Sequence, residues 1–431
     1  MLAVFGFAII LVFLILIMTK KMSVMTALVI TPILFGLLAG FSPKELGEFA
    51  LAGIKQVAPT GILLMFAVLY FATMLDAGLF DPVIALIIKS VKGDPLKVII
   101  GTAILTMIVH LDGDGTATFM IVLSAFLPIY KALKINRLIL SGIVALSVGP
   151  MHLVPWSGTS ARAISTLKSD AVHIFNPNIP AIIGGVLWVI FVAYIFGKKE
   201  RKRLGIIDFQ YNHKENLSHE QTSLRRPRLL IINALLTIIL IISLMKGWIP
   251  APVLFVMASM LVLLINYPKL SDQQKVLKAH GTNIFMVSSM IFAAGIFSGI
   301  LTGSKMINEM ANTLVSFIPQ NHANLLPTLT AITSLPASMI FTPDAYYFGV
   351  VPILSQTATQ FGIDSLEIGR AALLGQMTVG FPISPLTAST FLLVGLSEVD
   401  LGDHQKFIFK WAFGTTIVMT VVAILTGSIH I

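Results

Sequence analysis

Cysteine is absent from the 431 residues. That excludes disulfides, thiol catalysis and thiolate metal sites, and it leaves the redox compartment open. Charge is scarce too: 11% of the residues are Asp, Glu, Lys or Arg, against roughly 25% in soluble domains. With 56% hydrophobic residues and a mean hydropathy of +0.90, an ordinary soluble protein is excluded. In place of charge there is a series of apolar runs, several reaching the roughly 20 residues that cross a bilayer. The composition predicts an all-α, multi-pass protein of a cell membrane.

The first run, Leu2 to Met18, stops at Lys20-Lys21. It has no basic region before it and no small-residue cleavage pattern after it, so it reads as a retained helix and not as a signal peptide. Further spans fall near 22–40, 58–76, 137–168, 180–197, 229–247, 250–266, 282–303, 366–397 and 407–428. Segment 198–228 is polar, with nine Lys/Arg against four acids, and carries +5 of the chain's +9. Under the positive-inside rule this loop and Lys20-Lys21 are cytoplasmic. The basic balance therefore sets orientation and points to no nucleic-acid partner. Alternation puts the N-terminus outside. Both ends of stretch 96–133 then face the cytoplasm and both ends of 324–360 face out, so each reads as a re-entrant hairpin.

Two motifs recur at one offset. Asp114 and Asp344 are 230 residues apart, and so are Pro155 and Pro385. Val148-Gly149 matches Val379-Gly380 at 231, and Phe71-Ala72 with Gly78 matches Phe292-Ala293 with Gly299 at 221. Stretches 81–92 and 304–318 read as short interfacial helices at equivalent places. The hairpins open in opposite directions, so the pattern predicts two inverted-topology repeats of a secondary transporter.

Chemistry concentrates where the apolar runs break, because irregular backbone at membrane depth must be buried in protein or line a wet cavity. In Leu111-Asp-Gly-Asp-Gly-Thr-Ala-Thr118, Asp112 and Asp114 supply hard oxygens of the kind that suit Mg²⁺, Ca²⁺ or Mn²⁺. The ligand positions of an EF-hand are missing. Asp344 is the only acid between 311 and 363, where no Lys or Arg occurs, and Pro343 breaks the helix beside it. An intramembrane carboxylate is a functional candidate by default. Tyr346 and Tyr347 offer donors to an oxyanion. Breaks at Val154-Pro155-Trp-Ser-Gly-Thr-Ser160 and Ser384-Pro385-Leu-Thr-Ala-Ser-Thr390 interrupt 137–168 and 366–397. Each exposes the N–H groups of the helix that starts there, and that dipole favours an anion. Ser157, Gly158, Thr159, Ser160, Thr387, Ser389 and Thr390 add uncharged donors, and Arg162 offers a charge partner for a carboxylate. His110 and His152 flank the breaks as candidates for proton relay or metal ligation. Asp76, Glu367 and Arg370 lie nearer span ends and read as structural.

The ordered set HLDGDGTATFMIV, GPMHLVPWSGTSARA, FTPDAYYFG and GFPISPLTAST resembles the bacterial citrate–metal–proton symporters, within the wider ion-transporter superfamily that includes the divalent anion/sodium symporters. The resemblance covers essentially the whole chain. It implies that citrate enters as a complex with a divalent cation, together with protons, and that no cofactor is bound permanently. It implies a homodimer with an elevator mechanism: a scaffold from about 1–80 and 229–303, arms at 81–92 and 304–318, a linker at 198–228, and a mobile transport domain from 93–197 and 319–431. Sodium-coupled relatives carry Ser-Asn-Thr at the hairpin tips. Here the tips read Asp-Gly-Asp-Gly-Thr and Thr-Pro-Asp, which favours carboxylates that take protons or meet a metal.

The mechanism this predicts places the citrate–metal complex between the two tips and the two broken helices. The donors at 157–160 and 387–390, with Arg162, hold its carboxylates. Asp112, Asp114 and Asp344 face the metal or carry protons, and His152 is the next proton candidate. A carrier of gluconate or a dicarboxylate without metal is the main rival. An intramembrane aspartyl protease needs Gly-x-Gly-Asp, whereas the order here is Asp-Gly-Asp-Gly, and no His-Glu-x-x-His supports a zinc hydrolase.

Overall fold

The computed structural model describes residues 1–19, 21–91, 93–206, 223–316 and 320–431. Most of the basic loop, together with Lys20, Lys92 and the end of the second arm stretch, lies outside the described residues. Among the described residues the fold is helical without strands. The first half runs α1 (Leu2–Met18), α2 (Val24–Leu38), α3 (Pro43–Asp76), α4 (Asp81–Val91), α5 (Pro95–Val109), α6 (Gly115–Ala132), α7 (Arg137–Met151), α8 (Gly158–Thr166), α9 (Ala171–Phe175) and α10 (Ile179–Leu204). The second runs α11 (Leu230–Lys246), α12 (Ala251–Asn266), α13 (Leu270–Gly303), α14 (Met306–Val315), α15 (Leu326–Ala337), α16 (Val351–Gln360), α17 (Ser365–Leu373), α18 (Ala388–Ser397) and α19 (Leu401–Leu425). Seven helical runs among the described residues are long and apolar enough to cross a membrane.

Helices α3 and α13 each hold 34 residues, about 51 Å at 1.5 Å per residue, and outrun a hydrocarbon layer of roughly 30 Å. The apolar runs predict only 58–76 and 282–303. The extra turns carry Lys44, Glu45, Glu48 and Lys55, or Asp272, Lys275 and Lys278. Hydropathy marks where the membrane ends, whereas a helix ends where its hydrogen bonds do. The start of α3 is set by Ser42, which forms a reciprocal capping box with Glu45. The two helices cross at small residues: a Cβ at Gly53 would lie 1.9 Å from the Gly295 carbonyl oxygen, and one at Gly299 would lie 2.4 Å from that of Phe49. Only glycine admits that approach.

The same reasoning explains α10, which continues past the apolar run to Leu204. Its charged end is anchored: Arg201 Nε donates to Asp94 Oδ1 over 2.8 Å, and Asp94 caps α5 through the Leu96 N–H. The hydrogen bond from Arg201 holds the Asp94 carboxyl below the usual carboxylate range.

Two hydrophobic cores divide the molecule. One gathers α5, α6, α7, α10, α15, α17 and α19 around Phe126, Tyr130, Leu146, Tyr347 and Leu374. The other gathers α1–α3 and α11–α14 around Phe13, Tyr70, Phe71, Phe255 and Phe297. Trp156 and Phe348 belong to this second core although their segments lie in the first group of helices. The two cores meet there, at the chain breaks.

Candidate functional site

A cavity of about 350 Å³ lies where the cores meet. One wall is the last four turns of α3, with Leu64, Phe71 and Leu75, and the His280–Val287 stretch of α13. The other wall is built from the breaks: Asp112, Gly113 and Asp114 from the first tip, His152, Gly158, Thr159 and Arg162 from the first broken helix, Pro343 from the second tip, and Phe381 and Ser389 from the second broken helix. All four breaks expected from the sequence therefore contribute to one space.

The first tip is a single 3₁₀ turn, His110–Asp112, closed by Gly113 at φ 78°. A side chain there would be strained by that left-handed backbone. Asp114 then caps α6 by accepting from Thr116 N–H over 2.8 Å, and Asp112 Oδ1 accepts from the Asp114 N–H over 2.9 Å. Both carboxylates line the cavity. Trp156 clamps the tip from the first broken helix, its Nε1 donating to the Leu111 carbonyl over 2.7 Å while its ring stacks on Phe71 at 5.1 Å.

Arg162 and Asp344, expected in separate roles, meet: Arg162 Nε donates to Asp344 Oδ1 over 2.7 Å. A second nitrogen, Nη1, returns to the Gly158 carbonyl, over 2.8 Å. The side chains are 18% and 8% exposed. The pair ties the first broken helix to the second hairpin. Among the described residues Arg162 Nη2 has no partner, so one guanidinium edge remains for an anion in the cavity.

Most of the expected hydroxyl donors are spent within the protein. Thr159 donates to Met377 O, Ser160 to Leu153 O, and Thr387 and Thr390 both reach Phe381 O. A broken helix leaves carbonyls without intrahelical partners in an apolar setting, and these hydroxyls satisfy them. Ser157 caps α8 by accepting from Ser160 N–H. Among the described residues Ser389 alone of this group lines the cavity without a protein partner, while Gly158 and Thr159 bring the first turn of α8 to its wall. Tyr346 is 3% exposed, packs against Phe341 and Tyr347, and does not line the cavity. Tyr347 hydroxyl donates to Gln376 O. Among the described residues no three His, Asp or Glu side chains gather as a ready metal cage: Asp112 and Asp114 share the first tip and Asp344 is held by Arg162.

Sequence reasoning missed two features. His280 and Asn283 line the opposite wall, and His280 Nε2 bonds Asp76 Oδ2 at 2.8 Å. His110 and His152 are directly bonded at 2.8 Å. Polar residues at a span edge read as boundary markers, and no local pattern signals a contact across 42 residues.

Broken helices and paired hairpins that bring opposite charges to one cavity between long apolar helices define a multi-pass membrane transporter. The comparisons with known proteins agree. A family model described as citrate transporter matches residues 13–375. A citrate transporter of Bacillus subtilis is 52% identical over 429 residues, covering all of both chains. A second protein of that organism, a Mg²⁺/citrate complex secondary transporter, is 49% identical over 433 residues, again covering both chains in full. The chain belongs to the citrate transporter family. These relatives are transporters and not enzymes. Among solved structures, the YdaH transporter of Alcanivorax borkumensis has a TM-score of 0.56 at 14% identity, covering 88% of this chain and 87% of its own, a likeness of fold alone.

Proposed function

We propose that the protein carries citrate across the membrane as a complex with a divalent cation of the Mg²⁺ or Ca²⁺ type, moving with protons. The observation that carries this reading is the charge of the cavity. Among the described residues Asp112 and Asp114 face it unpaired by any cation, Asp344 neutralises Arg162, and one guanidinium edge is free. A free citrate trianion would meet net repulsion in such a space. A metal–citrate complex presents both signs: its metal suits the hard oxygens of Asp112 and Asp114, and its outer carboxylates suit Arg162, Ser389 and the first turns of α8 and α18. Protonation of the acids would lower the cost of moving the loaded site through an apolar environment. The name of one relative, a Mg²⁺/citrate complex transporter, supports the same reading.

The two cores support a division of labour. The core around α1–α3 and α11–α14 serves as scaffold. The hairpins and broken helices move against it as an elevator, with the two halves as inverted repeats in a homodimer. The cavity sits beside the end of α3, where Arg226 N–H bonds Ala77 O next to the basic loop. This favours a state open to the cytoplasm.

Uptake of labelled citrate into proteoliposomes tests the function, against competition by gluconate and by dicarboxylates with and without a proton gradient. Citrate should be preferred and a gradient should drive it. Equal or better competition by the others would favour the carrier of another organic anion.

A further inference from the structure

Hydrogen bonds behind the cavity wall fix one atom that faces it. Thr118 Oγ1 lies 2.8 Å from the Asp114 carbonyl oxygen. A carbonyl only accepts, so the threonine's one proton is committed there. His110 Nδ1 lies 2.9 Å from the same Oγ1, and must therefore be the donor. In a neutral imidazole the other nitrogen is then an acceptor. His110 Nε2 lies 2.8 Å from His152 Nδ1, so His152 Nδ1 carries the hydrogen and His152 Nε2 carries a lone pair. That last atom takes no hydrogen bond among the described residues, and the ring lines the cavity. Phe381 stacks on the ring at 4.6 Å and holds its plane. His110 and Thr118 are fully buried, so these two members of the chain are shielded from bulk solvent. A backbone carbonyl of the first tip thus sets the tautomer of a ring in the first broken helix, three hydrogen bonds away.

The geometry points to His152 Nε2 as an acceptor for a hydroxyl of the substrate, with Thr118 and His110 as positioning residues that keep it an acceptor. This rests on the citrate reading. Citrate carries three carboxylates and one hydroxyl. Of the other groups on this wall, Arg162 and Ser389 donate to carboxylates and Asp112 and Asp114 are taken up by the metal, so none of them is left for the hydroxyl. Metal coordination through the hydroxyl oxygen leaves its hydrogen in place and makes it a better donor, so the complex suits an unprotonated ring nitrogen. The assignment makes His152 a specificity residue that separates hydroxylated tricarboxylates from those without the hydroxyl.

The test compares citrate with propane-1,2,3-tricarboxylate, which lacks only the hydroxyl. The full chain is reconstituted in proteoliposomes with Mg²⁺ saturating both compounds. Where a variant does not transport, displacement of labelled citrate from the purified protein gives the same ratio. His152→Asn keeps a donor toward His110 but removes the acceptor. Thr118→Val keeps the shape but removes the atom that fixes the tautomer, and Thr118→Ser keeps that atom. His152→Asn and Thr118→Val should each shrink the preference for citrate over the analogue by about three- to tenfold, the worth of one neutral hydrogen bond. Thr118→Ser should keep the wild-type preference. An unchanged ratio in both variants, or an equal loss for both compounds, overturns the assignment. Absence of citrate uptake by the wild type would instead overturn the citrate reading on which it rests.

Discussion

Removing both members of the Arg162–Asp344 pair should destabilise the protein less than the sum of removing each alone. The ions are bonded over 2.7 Å, with 18% and 8% of the side chains exposed. Charge centres about 4 Å apart attract by about 4 kcal/mol at an effective dielectric constant near 20. Desolvation opposes this, so the net worth of the pair is smaller, but a single truncation also strands the partner. Loss of one member of a buried pair costs about 3–5 kcal/mol, and contact of Arg162 with the cavity places this pair near the lower end. The perturbation is a double-mutant cycle of Arg162→Met, Asp344→Asn and both together, with unfolding of the purified protein followed in detergent. The double variant should be more stable than the sum of the singles by about 1–3 kcal/mol. Additivity within about 0.5 kcal/mol would refute the claim that this pair holds the first broken helix to the second hairpin.

Three further outcomes follow from particular contacts. Gly53→Val drives a side chain into the Gly295 carbonyl, 1.9 Å from the new Cβ, and should lose folded protein in size-exclusion chromatography. Gly47→Ala on the same helix meets nothing within 4 Å and should be neutral or stabilising by up to about 1 kcal/mol; comparable damage from both would contradict the close crossing of α3 and α13. The Asp94 carboxyl is held low by Arg201, so its contribution is present above the unfolded carboxylate range and disappears as pH falls through the depressed value. Arg201→Met should therefore be less stable than wild type at neutral pH and converge with it in strong acid, and a pH-independent gap in melting temperature would argue against it. Asp112→Asn and Asp114→Asn should raise the Mg²⁺ concentration needed for half-maximal citrate uptake, and an unchanged requirement would remove these carboxylates from the metal.

The breaks were legible because acids, prolines and glycines inside apolar runs are costly unless they serve a site. That reasoning located Asp112, Asp114, Arg162 and Asp344, and all four contribute to the junction of the two cores. Partners were not legible. Nothing local in Thr387 or Thr390 tells whether a hydroxyl reaches a ligand or the Phe381 carbonyl. Tyr346 lies one residue from Tyr347 and two from Asp344, yet helical geometry turns its ring into packing against Phe341. His280 was hidden because the first turns of α13 are polar enough to read as the end of a span. The same confusion of membrane boundary with helix boundary shortened α3, α10 and α13.

The claim that metal and citrate travel together is tested most directly by counting both. Proteoliposomes holding the wild-type chain are given labelled citrate and a labelled divalent cation, and the amounts accumulated inside are compared with and without a chelator outside. The expected result is about one metal per citrate, with uptake of both abolished by chelation. Citrate that accumulates undiminished after chelation, with no metal beside it, would contradict the account.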